Sequence, residues 1–561
     1  MIENIKLKAN VSFSPANINV LVGPNNSGKS TFLNDIKGEL IEPKNQYQKI
    51  VIEEIKVHDF QDEDVHEFFE KFGKSEIKQL NQRTQVAQQG FRYFKMGNFT
   101  NYAEYNENTI KQFLINPNKI QRYELVESQT TKMLDGQSRL GGFYPQTFSF
   151  INNSDDMQLS NVAKLANSEI LMAEFKEYVF EALGLYPEIL SLNNGNAEIS
   201  LLKSPLPTEQ KKSYEPAVIE SLMKGVRGEN TSDGIRAFMG ILIELIAGNP
   251  SILLIDEVEA FLHPPLARKL GEIISKVAKQ KDKQVFVTTH NPNFIMGCIE
   301  SGAGFNILRL SFDGEKGKAK LIEEDELKSV ILNPLLRSTG IFEGLFYKNV
   351  FVCEADSDRV FYQEVNRRLL EQKDSRGIED CLFVNARNKQ TVGEITKLLR
   401  KFDIPTVSVI DFDFIKDGGV VFTKYLEQNN IPEPIHEGIR TSKHTLNEYF
   451  KTSDSDFSKK NSKLKMEGIL FLDNGNKALA EQFLSNLNQY GLFPVPVGEV
   501  ERWLPHLEAS GHGDPWLISK FELMGFSEEK DYCKPDSGDV WDFIGAINEW
   551  LKNSNRKGMQ V

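Results

Sequence analysis

The chain has 561 residues, of which 40% are hydrophobic and 26% charged, and its formal net charge is −13. One hydrophobic core does not fill this length, so we expect roughly two to four domains. The acidic balance argues against wholesale wrapping of nucleic acid but leaves room for a local basic groove. A run of about eighteen apolar residues is missing, so we expect no membrane-spanning helix. The four cysteines have neither metal-ligand nor C-x-x-C spacing, which predicts reduced thiols in a cytoplasmic protein.

The N-terminal segment carries the first motif. MIENIKLKANVSF alternates charged and apolar residues, which predicts a strand and not a secretory signal, and INVLVG predicts a second strand. GPNNSGKS then fits G-x-x-x-x-G-K-[ST] in full and opens a helix over KSTFLNDIKGEL. In such a loop backbone N–H groups hold phosphates, the lysine reaches the β and γ phosphates, and the serine hydroxyl binds Mg²⁺. The predicted nucleotide-binding residues here are Gly23, Asn25, Asn26, Gly28, Lys29, Ser30 and Thr31.

Residues 39 to about 225 have a less regular pattern. We expect an acidic amphipathic helix at 62–72, a polar Gln-rich stretch at 81–90, strand-like segments at 123–143 and helices over 160–184. We interpret this range as a mixed or helical insertion and expect it to serve dimerisation or larger assembly.

From residue 230 strands and helices alternate, which predicts a parallel sheet covered on both faces. TSDGIRAFMGILIELIAG predicts a helix, and the apolar runs SILLIDE and QVFVTTH predict buried strands. Asp256 and Glu257 follow the first of these strands, as a metal-orienting acid and a water-polarising base. His290 ends the second strand, where a γ-phosphate sensor would lie. Ser232 and Gly234 open the helix and offer a hydroxyl and a helix N-terminus to a phosphate.

This series of motifs resembles the ABC-type ATPases of the RecF/SMC-like branch, whose DE-x-E-x-x-L-H-P string stands here as DEVEAFLHP. The resemblance implies ATP as the nucleotide and a homodimer of heads, with Ser232 and Gly234 closing on the partner's phosphates. TSDGI replaces the usual LSGGQ, which leaves the geometry across the dimer and the hydrolysis rate open. For the metal-sensing glutamine of these ATPases we favour Gln137 in LDGQSRL.

The second half begins after a Gly-rich, charged segment at 311–326, which we expect to be loose. We place the main boundary near residue 340, giving an ATPase domain at 1–340 and a second α/β domain at 341–561. In that domain we expect strands over NVFVC, LFVNARN, IPTVSVIDFDF and KMEGILFL, with a helix over GEITKLLRKF between the second and the third.

Two pairs of carboxylates end predicted strands of the second domain. If a helix starts after Glu354, Asp358 lies four residues on, and both side chains share one face. Asp411 and Asp413 lie two apart, so in an extended segment they point the same way. Four such oxygen ligands suit Mg²⁺ or Mn²⁺. The alternative is structural, because acids after strands often cap helices, and Asp356 is a candidate N-cap.

This arrangement resembles a TOPRIM domain, and an ABC-type ATPase followed by TOPRIM resembles the OLD (overcoming lysogenisation defect) family of nucleases. The resemblance implies that Glu354, Asp358, Asp411 and Asp413 bind metal, with Glu354 and Asp411 central to catalysis. It implies a further acid, for which VGEVERWLP offers Glu499 and Glu501, and a late lysine, for which the candidates are Lys530, Lys534 and Lys552. Two cations would then clamp the scissile phosphate.

Our leading hypothesis is an ATP-binding, metal-dependent DNA endonuclease that acts in bacterial anti-phage defence and whose ATPase dimer gates cleavage. The OLD resemblance extends to a partner protein or a retron-type nucleic acid. Two alternatives stay open from the sequence. One is cleavage of tRNA or another RNA, and the other is a DNA-binding ABC ATPase of recombination or repair that no longer cuts.

Overall fold

The computed structural model describes residues 1–42, 47–58, 75–76, 93–98, 101–106, 112, 130–147, 160–191, 196–206, 216–323, 326–327, 340–459, 461–526 and 532–559. The expected features at 62–72 and 81–90, the start of 123–143 and Lys530 lie outside the described residues. The chain divides into two compact units, Met1–Lys328 and Ser329–Val561, which we describe separately. The boundary predicted near residue 340 stays a prediction.

The first unit is built on strands that form four sheets. In chain order they are β1 (Ile2–Leu7), β2 (Ser12–Phe13), β3 (Ile18–Val22), β4 (Ile52–Val57), β5 (Ser75–Glu76), β6 (Tyr93–Asn98), β7 (Asn101–Asn106), β8 (Thr131–Leu134), β9 (Gln146–Thr147), β10 (Tyr186–Ser191), β11 (Asn196–Leu202), β12 (Ile252–Ile255), β13 (Gln284–Thr288), β14 (Phe305–Phe312) and β15 (Gly317–Ile322). The largest sheet has the order β15-β14-β3-β13-β12-β8, and the others are β2-β1-β4, β10-β11-β9 and β5-β6-β7.

The helices of this unit follow the predicted alternation. They are α1 (Lys29–Leu40), α2 (Gly136–Gly141), α3 (Asn161–Asn167), α4 (Glu169–Leu183), α5 (Pro216–Lys224), α6 (Asp233–Ala247), α7 (Pro264–Gln280) and α8 (Pro292–Glu300). The helical region expected over 160–184 is thus two helices, because Ser168 ends one and caps the next. The described part of 39–225 holds both strands and helices, and two of its strands join sheets of the head: β4 pairs with β1, and β8 with β12.

The main sheet sets the position of the nucleotide motifs. Every residue of β3, β12 and β13 is buried, as expected for strands covered on both faces. These three strands are parallel neighbours, with Ile255 opposite Val287 and Thr288 opposite Leu21. Their carboxyl ends, followed by Gly23, Asp256 and Thr289, therefore meet at one edge of the sheet.

The prediction of a loose segment at 311–326 is wrong. Residues 305–322 form an antiparallel hairpin, in which β15 extends the main sheet beyond β14. The glycines and charges lie at its turn and on an edge strand, where solvated Lys side chains are common.

The second unit has one parallel sheet of four strands in the order β17-β16-β18-β19. These are β16 (Asn349–Cys353), β17 (Cys381–Asn385), β18 (Thr406–Asp411) and β19 (Leu492–Val495). The helices are α9 (Asp356–Glu371), α10 (Lys389–Lys401), α11 (Gly419–Gln428), α12 (Glu433–Ser453), α13 (Lys463–Met466), α14 (Asn474–Asn488), α15 (Asp514–Met524) and α16 (Asp539–Lys552). The α/β fold predicted for both halves, with a parallel sheet in the second, is confirmed.

Two expectations for this unit are wrong. KMEGILFL is not a strand but α13 followed by a 3₁₀ turn at Gly468–Phe471, because Gly468 takes a left-handed conformation (φ 54°) that ends any extended run. The strand expected to reach residue 414 ends at Asp411, where its partner β19 also ends at Val495. Residues Phe412–Lys416 then form a 3₁₀ turn that buries Phe412 and Phe414.

Among the described residues no helix is long and apolar enough to cross a bilayer.

Candidate functional site

The phosphate loop joins β3 to α1 and has the backbone that its glycines allow. Gly28 has φ 96° and Gly23 φ 143°, and a Cβ on Gly23 would lie 2.0 Å from the carbonyl oxygen of Leu310. The loop therefore needs glycine at these two positions. The Lys29 ammonium is buried and donates to the carbonyl oxygens of Gly23 (2.9 Å) and Pro24 (2.8 Å).

The serine of the loop contacts the acid after β12. Ser30 Oγ donates to Asp256 Oδ1 at 3.0 Å, which is the pairing that a nucleotide-bound Mg²⁺ requires of these two oxygens. Thr288 donates to the same carboxylate oxygen at 2.6 Å and accepts the backbone N–H of Glu257 at 2.7 Å. Thr288 was not predicted from the sequence, although it is the first residue of the TTH motif.

Glu257 and His290 face the same cavity. It has a volume of about 270 Å³ and is lined by Asn25, Asn26, Ser27, Gly28, Lys29, Ser30, Thr31, Glu257, Thr288 and His290. Glu257 has a left-handed backbone (φ 48°), and its carbonyl oxygen accepts from Arg139 at 2.8 Å. Burial, and then the charge of Lys29, lower the pKa of His290, so its imidazole is neutral near pH 7. Such an imidazole can accept or donate one hydrogen bond at a phosphate.

The residues expected to act across a dimer have local roles here. Ser232 is exposed and caps α6 by accepting the N–H of Ile235 at 3.4 Å. A Cβ on Gly234 would lie 2.5 Å from the carbonyl oxygen of Phe261, so this helix start packs on the DEVEAFLHP loop. Gln137 is exposed in α2. Arg139 of the same helix, which the sequence analysis missed, is the residue that reaches the acids.

In the second unit Glu354, Asp358 and Asp411 lie at the carboxyl edge of the sheet. Glu354 follows β16, Asp411 ends β18, and the two strands are parallel neighbours. Glu354 Oε1 accepts the backbone N–H of Asp411 at 2.9 Å. Asp358 lies in the first turn of α9, where its carboxylate accepts the N–H of Ala355 at 3.1 Å.

The prediction that Glu354 and Asp358 share one face of a helix is wrong, and their common metal ion stays a prediction. Glu354 lies two residues before α9 begins, and Ala355 is the N-cap, so Asp356 is not. Asp358 instead turns back toward the strand end, because its carboxylate binds the free N–H at the helix start. Asp356 pairs outward with Arg359 (2.7 Å) and Asn385 (2.8 Å).

The pKa values of Glu354, Asp358 and Asp411 are all raised. Burial raises the pKa of Glu354 to about 8 and that of Asp358 to about 6. Burial, and then the charge of Glu354, raise the pKa of Asp411 well above its ordinary value. The charges of Glu354 and Asp358 act to raise the pKa of Asp411, so a cation beside these carboxylates would favour their ionised forms. Their hard oxygen donors fit Mg²⁺ or Mn²⁺.

Asp413 has different neighbours. The extended register predicted for it is wrong, since it lies in the 3₁₀ turn after β18. Its Oδ1 accepts Lys389 Nζ at 3.0 Å, and its Oδ2 pairs with Lys465 Nζ at 3.2 Å. Burial acts to raise the pKa of Asp413, but the two ammonium groups outweigh it and hold that pKa below its ordinary value.

The later acids, which follow β19, form a group with a histidine. Ligand atoms of Glu499, Glu501 and His512 all lie within 4.8 Å of one another, and His512 Nδ1 is 2.6 Å from Glu501 Oε1. Glu499 also accepts Lys465 Nζ at 2.5 Å. His512 was not predicted from the sequence, because GHGD forms no motif with Glu499 and Glu501.

The late lysines expected from the resemblance lie elsewhere. Lys534 is exposed in a loop, and Lys552, the last residue of α16, donates to the carbonyl oxygen of Ser375. The lysines that reach the acids are Lys389 and Lys465, for which the sequence offered no motif.

Two family models match the chain. Residues 44–296 match a model whose description names an AAA domain and the AbiEii toxin of a Type IV TA system. Residues 345–413 match the model described as Overcoming lysogenization defect protein-like, TOPRIM domain. The first match begins after the phosphate loop, which is therefore identified by its own motif and geometry.

Similarity to individual proteins is lower. The chain is 25% identical over 207 residues to Methionine import ATP-binding protein MetN of Corynebacterium jeikeium (strain K411), over 36% of this chain and 51% of that protein. The chain thus spans about half the length of that curated relative.

Two solved structures of SMC heads are similar over more than half of the chain. They are "Crystal structure of the SmcHead bound to the C-winged helix domain of ScpA" (TM-score 0.34, 13% identity, 59% of this chain and 99% of that chain) and "SMC head domain from Thermotoga maritima" (TM-score 0.26, 14% identity, 57% and 99%).

Proposed function

The chain is an ATPase–TOPRIM protein of the OLD family, and on that premise we propose that it is an ATP-binding, divalent-metal-dependent endonuclease acting on DNA. One observation carries the proposal: Glu354, Asp358 and Asp411 lie together at the carboxyl edge of the TOPRIM sheet, and the pKa of each is raised. Burial and the neighbouring negative charges disfavour the ionised form of these carboxylates. A bound divalent cation would offset that cost.

The reaction is hydrolysis of a phosphodiester. A water oxygen bonds to phosphorus while the P–O3′ bond breaks, water gives up a proton, and the leaving 3′ oxygen takes one from solvent. When bound, Mg²⁺ or Mn²⁺ supplies an activated water and a Lewis acid for the phosphate. In our proposal Glu354, Asp358 and Asp411 hold that cation, and the Lys389 and Lys465 ammonium groups attract the phosphate to the same edge.

The nucleotide site is proposed to control cleavage. Lys29 and the loop N–H groups bind the phosphates, Ser30 and Asp256 hold the nucleotide's Mg²⁺, and Glu257 polarises the attacking water. Phosphodiester hydrolysis is downhill, so ATP need not drive it. Occupancy can instead set which state of a head dimer admits DNA, with Ser232 and Gly234 meeting the partner's nucleotide.

The setting we propose follows from the family. The protein acts in the cytoplasm of a bacterium as an anti-phage effector, as a homodimer or larger homo-oligomer, with a defence partner protein or a retron-type nucleic acid as its trigger. The sheet-edge chemistry acts on any phosphodiester, so RNA is the alternative substrate.

The test is a cleavage panel with the full chain. Supercoiled plasmid, linear duplex, single-stranded DNA and tRNA are incubated with Mg²⁺ or Mn²⁺, with and without ATP, using wild type and Lys29→Ala. We expect DNA to be nicked or cut, with an ATP response that Lys29→Ala abolishes. Cleavage of tRNA alone would transfer the proposal to RNA. Folded protein that binds DNA with ATP and cuts nothing would favour the DNA-binding ATPase instead.

A further inference from the structure

The carboxylates at the edge of the TOPRIM sheet fall into two sets, which differ in whether lysine ammonium groups form ion pairs with them. The described hydrogen bonds of Glu354 and Asp358 are with backbone N–H groups and the Ser357 hydroxyl, and the charge of Lys389 acts on Glu354 without a hydrogen bond. Asp413 has an ammonium group on each oxygen, from Lys389 at 3.0 Å and Lys465 at 3.2 Å. A second divalent cation at Asp413 would have to displace these groups or lie against both.

Each lysine also bridges to a second acid. Lys389 Nζ lies 3.4 Å from Asp417 Oδ2, and Lys465 Nζ lies 2.5 Å from Glu499 Oε1. Asp413 and Glu499, two of the acids expected to bind metal, are therefore joined through one ammonium group. Both lysines have only 27% of their side chains exposed.

The backbone holds these lysines in place. Lys389 is the first residue of α10, whose start is fixed by Asn388 accepting the N–H of Thr391 at 3.0 Å. The loop before Glu499 packs directly on α13, since a Cβ on Gly498 would lie 2.2 Å from the carbonyl oxygen of Lys465. The position of Lys465 beside Glu499 is thus set by backbone packing, and not by a long side chain reaching across solvent.

We propose that the ammonium groups of Lys389 and Lys465 take the place of the second divalent cation, so that the site binds a single cation through Glu354, Asp358 and Asp411. Two ammonium groups bring the same charge, +2, as one Mg²⁺ or Mn²⁺. A second divalent cation, as implied by the family resemblance, does not fit at Asp413, because both of its carboxylate oxygens are already paired with ammonium groups. The inference rests on the proposed function, because it concerns the cation of the same nuclease site.

The test counts bound ions. Full-length, nucleotide-free protein carries Asp256→Asn, which removes the head's own metal ligand, and bound Mn²⁺ is measured by electron paramagnetic resonance of the free ion. We expect one tightly bound ion per chain. Adding Lys389→Gln and Lys465→Gln together should raise the count to two. Lys463→Gln, in the same short helix but paired with Glu467, should leave it at one.

Each outcome decides something different. Two ions without the lysine substitutions would overturn the inference and leave the proposed nuclease intact. A count that stays at one in the double variant would overturn it as well. A count of zero would remove the metal site itself, and with it the proposed function. If the double variant fails to fold, Lys465→Gln alone is counted, because it frees one oxygen of Asp413 and one of Glu499; a count that stays at one there would overturn the inference.

Discussion

Replacing Glu354 with glutamine should stabilise the metal-free protein, although it removes a proposed catalytic residue. Glu354 is partly buried, and its pKa is raised to about 8 by desolvation, against an ordinary 4.5. Its Oε1 accepts the N–H of Asp411, and the amide oxygen of glutamine can accept the same bond. The substitution therefore removes the buried charge while keeping the shape and the hydrogen bond.

The size of the effect follows from the two pKa values. The folded protein retains a proton that the unfolded chain releases, so the wild type loses stability as pH rises from 4.5 to about 8. At about pH 7.5, roughly three pH units above the unfolded pKa, this cost is about 4 kcal/mol, at about 1.4 kcal/mol per unit. At about pH 5 it falls below about 1 kcal/mol. Glu354→Gln should recover most of this cost, and the gain should grow with pH.

Tryptophan fluorescence is the right assay, because all four tryptophans of the chain lie in the second unit, at 503, 516, 541 and 550, and all are buried. Urea unfolding with EDTA is followed at several pH values. The matched control is Glu364→Gln, since Glu364 pairs with Arg367 and Arg368 and its pKa is lowered, so this change should destabilise. If Glu354→Gln destabilised the metal-free unit as the control does, or acted equally at pH 5 and pH 8, our reading of the cluster would be refuted.

Three further predictions concern the two sites. Mn²⁺ affinity should rise with pH, by about tenfold or more per pH unit between about pH 6 and pH 8, because the ion displaces protons from Glu354 and Asp411, whose pKa values are both raised, and calorimetry would show proton release. Gly23→Ala should weaken binding of a fluorescent ATP analogue by roughly tenfold or more, since its Cβ meets a β14 carbonyl oxygen, whereas Gly141→Ala, which meets nothing within 4 Å, should not. Thr288→Val should slow ATP hydrolysis by roughly tenfold or more while ATP binding changes little, because it loses the bonds that hold both acids after β12. Equal losses of binding and turnover in Thr288→Val would contradict this role.

The nucleotide site was predictable because its chemistry is local. The phosphate loop spans eight consecutive residues, and its conformation follows from Gly23 and Gly28. Asp256 could be placed beside Ser30 because buried parallel strands end at the same sheet edge. Arg139 escaped prediction, since its contact with the Glu257 carbonyl oxygen depends on how α2 packs against α6.

In the second unit, packing between residues distant in the sequence determines features of the site that the sequence pattern did not predict. The register argument for Asp413 assumed that β18 continues, but packing of Phe412 and Phe414 into the core turns the chain after Asp411. Lys389 and Lys465 come from separate helices and meet only at Asp413, so no spacing in the sequence announces them. The acids at this sheet edge could be predicted from the ends of the strands. The ion pairs of Asp413 and Glu499 with lysines could not.

The most direct test of the account is metal-dependent nicking of supercoiled plasmid by wild type, Glu354→Gln and the control Glu364→Gln, each shown to be folded by its tryptophan emission. We predict that wild type and Glu364→Gln cut with Mn²⁺ and stop when EDTA is added, and that Glu354→Gln is more stable without metal yet does not cut. Cutting by Glu354→Gln at the wild-type rate would show that the chemistry lies elsewhere in the chain.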